Sequence, residues 1–152
     1  MAKTIAYMVT WTTYGTWLQG DKRKYVKDGQ ILRENKALAD ICNKLLTKEP
    51  VRFDKEQRRI VEDAIRQKAV QFGQQIYALA VRSKHVHLLV EYIPKPIELV
   101  VQHYKTCAFM ALRKIGITGQ IWTKGFNKRY CFDETTLQKK IEYINKHPHN
   151  NI

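Results

Sequence analysis

Ser83-Lys84-His85-Val86-His87-Leu88-Leu89-Val90-Glu91-Tyr92 alternates with the period of a β-strand. His85, His87, Leu89 and Glu91 share one face, and Val86, Leu88, Val90 and Tyr92 share the other. The second set is apolar and suits packing against helices, which leaves two imidazoles together on the opposite side. Same-face neighbours on a strand stand roughly 6.5–7 Å apart, so both rings can converge on one divalent ion or one phosphate. An isolated His-x-His is also compatible with histidines that merely decorate a half-exposed strand. The surrounding chain has to decide.

Immediately upstream, Gln75 to Val81 reads as a strand, with Ile76, Ala78 and Ala80 against Tyr77, Leu79 and Val81. Arg82-Ser83-Lys84 is short enough to make the two strands a hairpin. Before them, Asp54 can cap a helix whose apolar residues Ile60, Val61, Ala64, Ile65, Ala69 and Phe72 recur at helical spacing and which stops at Gly73. At the start of the chain, Ile5 to Thr13 alternates, Tyr7, Val9 and Trp11 opposing Ala6, Met8, Thr10 and Thr12. Downstream, Pro94 and Pro96 precede a long helix from Ile97 to Ile115, ending at Gly116. Leu99, Val100, His103, Cys107, Met110, Ala111 and Lys114 take its core-facing and flanking positions. Gln120-Ile121-Trp122 and Arg129-Tyr130-Cys131-Phe132 supply further strand, split by a Lys124-Gly125 turn. The order β, α, β, β, α, β predicts an α+β, ferredoxin-like (split βαβ, RRM-like) antiparallel sheet with helices on one face and the other free for ligands. RNA-recognition modules stack bases on that free face, so a non-catalytic binder stays in play.

The composition narrows the class. A chain of 152 residues, 44% hydrophobic, predicts one domain over residues 1–152. No long apolar run and no signal-peptide pattern occurs, which predicts a soluble cytoplasmic protein without a membrane partner. Cys42, Cys107 and Cys131 are widely spaced and odd in number, which argues against a disulfide framework or a cysteine zinc site. Twenty-seven Lys and Arg against 14 Asp and Glu give a net charge of +13, an excess that points to a polyanionic partner, nucleic acid first.

Between the first strand and the first clear helix, Gln19 to Glu34 reads as a basic surface loop, and Asn35 to Leu46 as a short helix. Tyr14 and Trp17, beside Arg23 and Lys24, have the make-up of a single-strand platform in which bases stack on rings while cations follow phosphates. Aromatics tucked into the core below a solvated loop are the alternative.

The last helix opens with Thr135-x-x-Gln138, of capping-box form, and carries an apolar stripe of Leu137, Ile141 and Ile144. Tyr143 sits roughly 125° from the centre of that stripe, and His147, one turn on, lies on nearly the same side. A tyrosine off the core face, beside an imidazole and after Lys139 and Lys140, is placed to meet phosphate. An ordinary surface tyrosine is the plainer reading.

Together, the His85-Val86-His87-Leu88-Leu89-Val90 strand, the helix from Pro96 that carries Lys105, Trp122, and the terminal Tyr143-Ile144-Asn145-Lys146-His147-Pro148 resemble the single-tyrosine HUH transposases, insertion-sequence type and REP-associated, from Ile5 to Pro148. The resemblance implies that His85 and His87 bind a divalent metal and that Tyr143 is the nucleophile. It also implies that His147 completes the metal site, where family members usually carry Asn or Gln. The cofactor would be Mg²⁺ or Mn²⁺, an all-imidazole set tilting the site toward Mn²⁺ and later metals. An unperturbed phenol, with a pKa of about 10, is a weak nucleophile and needs such help. The implied reaction is cleavage and rejoining of single-stranded or hairpin DNA at repeat ends through a 5′-phosphotyrosine, without a nucleotide cofactor. Lys105, Arg23 and Lys24 are expected phosphate contacts. Tyr130, in a strand, is expected to pack or stack rather than attack. A replication-initiator or relaxase-like nickase would use the same residues, and an RRM-like binder would need none of them. Whether Tyr143 serves its own histidines or those of a second copy in a homodimer is left open.

Overall fold

In the computed structural model, which describes residues 3–16 and 50–146, the histidine strand is central. In chain order the elements are β1 (Ala6–Thr12), α1 (Lys55–Phe72), β2 (Ile76–Val81), β3 (His85–Glu91), α2 (Ile97–Lys114), β4 (Asn127–Cys131) and α3 (Glu134–Lys146). The strands form one antiparallel sheet in the order β2-β3-β1-β4, the split βαβ arrangement that the element order predicts. The basic loop, the expected helix over Asn35 to Leu46, Trp17, Arg23, Lys24 and His147 lie outside the described residues.

The apolar alternation of β1 and β3 builds the first core. Val9, Trp11, Val86, Leu88 and Val90 pack beneath Val61 and Ile65 of α1 and Val100, Tyr104, Ala108 and Leu112 of α2. Each such side chain, once fully buried, contributes about 1.5–3 kcal/mol from removal of apolar area from water. The buried stripe of α2 is Ile97, Val100, Val101, Tyr104, Ala108 and Leu112, whereas Leu99 and Met110 are exposed. The helix is apolar around much of its circumference, so periodicity alone misplaced its inner face. Buried Tyr104 donates its hydroxyl to Gln74, which in turn donates to the Glu91 carbonyl at 2.8 Å.

Two local signals differ from the sequence reading. In β2 the pairing with β3 shifts between Ile76 and Ala78, so Ile76 packs with the first core while Tyr77 joins Ala78 and Ala80 on the other face. A bulge breaks the strict alternation. Near the C-terminus, Trp122 forms only an isolated bridge to Thr13, and the fourth strand is Asn127–Cys131.

The second sheet face is not left free, which corrects the expectation that ligands would find it open. Leu137, Ile141 and Ile144 of α3 pack there on Ala6, Met8, Ala78, Ala80, Leu89 and Cys131. Small side chains at three of these positions let the helix approach the sheet closely. The helix begins two residues earlier than the Thr135-x-x-Gln138 box suggests: the Thr136 N–H donates to Asp133 Oδ1 at 2.7 Å, so Asp133 is the cap.

Turn residues set the remaining geometry. Gly15 has φ +86°, and a Cβ there would meet the Pro50 Cα at 2.7 Å, so only glycine fits where the chain returns beside β1. At α1, Asp54 accepts from the Gln57 N–H at 2.8 Å while Gln57 accepts from the Asp54 N–H at 3.0 Å, and Gly73 at φ 67° closes the helix. Removing this capping box by Asp54→Ala should cost about 1 kcal/mol. Thermal unfolding followed by circular dichroism should show a fall of about 2–4 °C in Tm; an unchanged Tm would show that the box contributes nothing.

Candidate functional site

His85 and His87 stand on the α3 face of β3, as the alternation predicts. Their ring centroids are 4.6 Å apart with the planes at 81°. Cross-strand pairing sets Thr10 of β1 opposite His87, and Thr10 Oγ1 lies 3.0 Å from His87 Nδ1. With Nδ1 protonated, that N–H donates to the hydroxyl, which fixes the ring and leaves the Nε2 lone pair for another partner.

Burial lowers the pKa of both imidazoles from 6.5 to about 4, helped at His85 by the charge of Arg82 and at His87 by His85 and then Arg82. At neutral pH both rings are therefore uncharged and keep a lone pair, the state a metal ligand requires. Two neutral imidazoles this close, one anchored by a hydroxyl, fit part of a divalent-ion site. Among the described residues no third His, Cys, Asp or Glu joins them. His147, the expected third ligand, lies outside the described residues.

Arg82, which the sequence reading used only as part of a turn, is the charged neighbour of this pair. Its Nη2 donates to the Ile144 carbonyl at 3.2 Å, and its Nε–H is buried without an acceptor among the described residues. Ile144 lies in the last turn of α3, where carbonyls have no helical partner and a cation meets the negative end of the helix dipole. The residue before it is Tyr143. Arg82 thus joins the imidazole pair to the end of α3 that carries the tyrosine. Its signal in the sequence was only its position just ahead of the histidines.

Tyr143 is off the helix's buried stripe, as its angular position predicts, and half exposed at 51%. Lys140, one turn earlier, reaches down to Met8, its Nζ 3.9 Å from the sulfur. Tyr14 sits in the bend beyond Thr12, the strand partner of His85. Its N–H donates to the Ile121 carbonyl at 2.7 Å, and its carbonyl accepts from the Val51 N–H at 2.8 Å. Lys105 goes elsewhere. It is on α2, across the sheet from the histidines, and its ammonium donates to the carbonyls of Thr123 at 3.0 Å and Gly125 at 2.7 Å. The structure therefore brings His85, His87, Thr10 and Arg82 together with the C-terminal end of α3, and leaves Lys105 on the opposite face.

The pKa values carry a sign that can be checked. Between pH 6.5 and about 4 the unfolded chain takes up protons that the folded His85 and His87 refuse. Stability of the metal-free protein therefore falls as pH falls through that window. Urea unfolding across it should show a smaller loss in His85→Ala/His87→Ala than in the parent; equal pH slopes would contradict the assignment.

No helix among the described residues is long and apolar enough to cross a membrane. Comparison with curated proteins gives no match. Among solved structures, a REP-associated tyrosine transposase bound to a REP hairpin is similar with a TM-score of 0.59 at 12% identity, over 99% of this chain and 70% of that one. A Deinococcus radiodurans R1 protein assigned as a transposase is similar with a TM-score of 0.52 at 21% identity, over 96% of this chain and 92% of that one. At these identities the likeness speaks for the fold. Family membership rests on sequence, because residues 33–150 match the model of the family described as Transposase IS200 like, well over half of the chain. The chain belongs to the IS200-like transposase family.

Proposed function

We propose that this transposase cleaves and rejoins single-stranded or hairpin DNA through a covalent 5′-phosphotyrosine at Tyr143. His85, His87 and His147 are the proposed ligands of Mg²⁺ or Mn²⁺. The observation that carries the reading is the pair of neutral imidazoles, with rings 4.6 Å apart, on the sheet face against which the Tyr143 helix packs. A divalent ion bound there would polarise the scissile phosphate and offset the charge that develops on it.

The phenol of Tyr143 gives up its proton as its oxygen attacks phosphorus, and the bond from phosphorus to the 3′ oxygen breaks. That oxygen takes a proton and leaves as a 3′-hydroxyl, while the 5′ phosphate stays on the tyrosine. A 3′-hydroxyl from another strand reverses the step, expelling the phenol and sealing the new junction. Bond energy is kept in the phosphotyrosine, so no nucleotide cofactor enters. Thr10 orients His87, and Arg82 positions the end of α3 while its charge favours phosphate nearby. Tyr14, Trp17, Arg23 and Lys24 are proposed contacts to the incoming strand, and the cytoplasm is the proposed location. An RRM-like binder fits less well, because α3 covers the sheet face that such modules leave open for bases.

Incubation with single-stranded hairpin DNA and Mn²⁺, followed by denaturing electrophoresis, tests the reading. The parent should form a protein–DNA adduct. Tyr143→Phe, which removes one oxygen, should bind DNA with unchanged affinity and form none. Replacing His85 or His87 by Ala should abolish metal-dependent cleavage with little change in Tm; cleavage by the double alanine variant at the parent rate would sink the proposal.

Arg82 gives a separate test. Arg82→Ala should lower the single-turnover cleavage rate by about a hundredfold through misplacement of the tyrosine, with KM little changed. Arg82→Lys should recover part of the loss. Parent-like rates in Arg82→Ala would show that the guanidinium does not position α3.

A further inference from the structure

On the sheet face away from the histidines, β4 presents a feature that the proposed reaction does not use. It is an edge strand, paired with β1, and Asn127, Lys128, Arg129 and Tyr130 are all exposed. On the side toward α2, Phe126, Lys128, Tyr130 and Phe132 follow one another at the two-residue period, a row about 20 Å long. Tyr130 and Phe132 are stacked at 30° with centroids 6.2 Å apart. They remain 43% and 47% exposed, although rings of this size are normally drawn into a core. Tyr130 rests on Tyr7 at 5.4 Å, so the row has a rigid floor.

One cation, Lys128, stands in the row between Phe126 and Tyr130, and a second, Lys105, lies beyond its Phe126 end. Lys128 Nζ lies 5.8 Å above the Tyr130 ring and 2.7 Å from Glu98 Oε2 at the start of α2. At the Phe126 end the row opens into a cleft of about 520 Å³ between α2 and the 122–126 segment, lined in part by Lys105 and Trp122. There Lys105 is held by the Thr123 and Gly125 carbonyls, at 3.0 and 2.7 Å, which fixes its charge at the cleft.

We propose that this trough is a second DNA site, which takes a short unpaired strand by stacking bases on Tyr130 and Phe132 while Lys128 and Lys105 meet its phosphates. The proposal rests on the reading of the protein as an enzyme of DNA strands. Exposed rings with cations beside them, on a chain of net charge +13, match single-stranded nucleic acid, since every base offers a stacking face and the backbone a regular charge. Paired DNA hides those faces inside the duplex. A protein partner would explain the rings but not Lys128 and Lys105 beside them. Glu98 then acts as a brake: a phosphate entering the trough must draw Lys128 away from its carboxylate.

Fluorescence anisotropy with a short fluorescein-labelled oligothymidylate, on the full chain in EDTA so that no cleavage occurs, tests the site. Tyr130→Ala and Phe132→Ala should each weaken binding by about tenfold, and Glu98→Gln should tighten it by roughly two- to fivefold. Phe132 lies beyond the end of β4 and carries the test should Tyr130→Ala fail to fold. Parent-like affinity in both aromatic variants overturns the proposal. So does sedimentation that shows a dimeric parent and monomeric variants, since the rings would then join two copies of the chain. Adduct formation in Mn²⁺ reports on the catalytic reading independently: a parent that forms adduct while the aromatic variants bind normally removes only this site, and a parent that binds through the trough without forming adduct removes only the catalytic reading.

Discussion

The register of β3 between β1 and β2 is the constraint on which the rest depends. Each of its residues from Val86 to Val90 is paired on both sides, for example Leu88 with Val9 and with Leu79. A slip of one residue would turn His85 and His87 into the α1–α2 core and send Val86, Leu88 and Val90 to the other face. The first change buries polar rings without partners, and the second takes Val86, Leu88 and Val90 out of the core that they build with α1 and α2. Because both neighbours enforce the same register, the imidazole pair is held by the whole sheet and not by a loop.

What stands opposite that pair follows from side-chain size. Ala6, Ala78 and Ala80 form a shallow floor on the second face, and α3 settles into it with Leu137 and Ile144. The helix end then meets Arg82, whose guanidinium meets carbonyl oxygen that the helix itself cannot satisfy. In so basic a protein, charged imidazoles would add to repulsion around Arg82; burial keeps them neutral and so available as electron-pair donors. The sheet thereby divides its work. One face carries the polar centre under α3, and the other carries the core, with the aromatic row of β4 left at its edge.

Alternation made β1, β3 and the position of the histidines readable, because a half-buried strand declares its faces residue by residue. Tyr143 was readable for the parallel reason that a three-residue apolar stripe leaves the rest of α3 outside. Where α3 would pack was not readable: its stripe says that it packs, whereas the alanines that receive it look like ordinary strand residues. The bulge at Ile76–Ala78 and the true cap Asp133 depend on pairing partners, which periodicity does not encode. The position of Lys105 was unreadable in a similar way, since a basic residue on a helix looks the same whether it stands beside the histidines or, as here, across the sheet from them against the carbonyls of Thr123 and Gly125. Thr10 and Arg82 join the site only through contacts across strands and to a helix more than sixty residues away.

The central claim is that the helix against the histidine face delivers the nucleophile. It is tested most directly by locating the DNA on the protein: the adduct trapped on single-stranded hairpin DNA is digested with protease and nuclease, and the modified peptide is sequenced by mass spectrometry. The account predicts a nucleotide remnant on Tyr143, in the Lys140–Lys146 peptide region of α3. A remnant on Tyr130, Tyr14 or any residue outside α3 would contradict it.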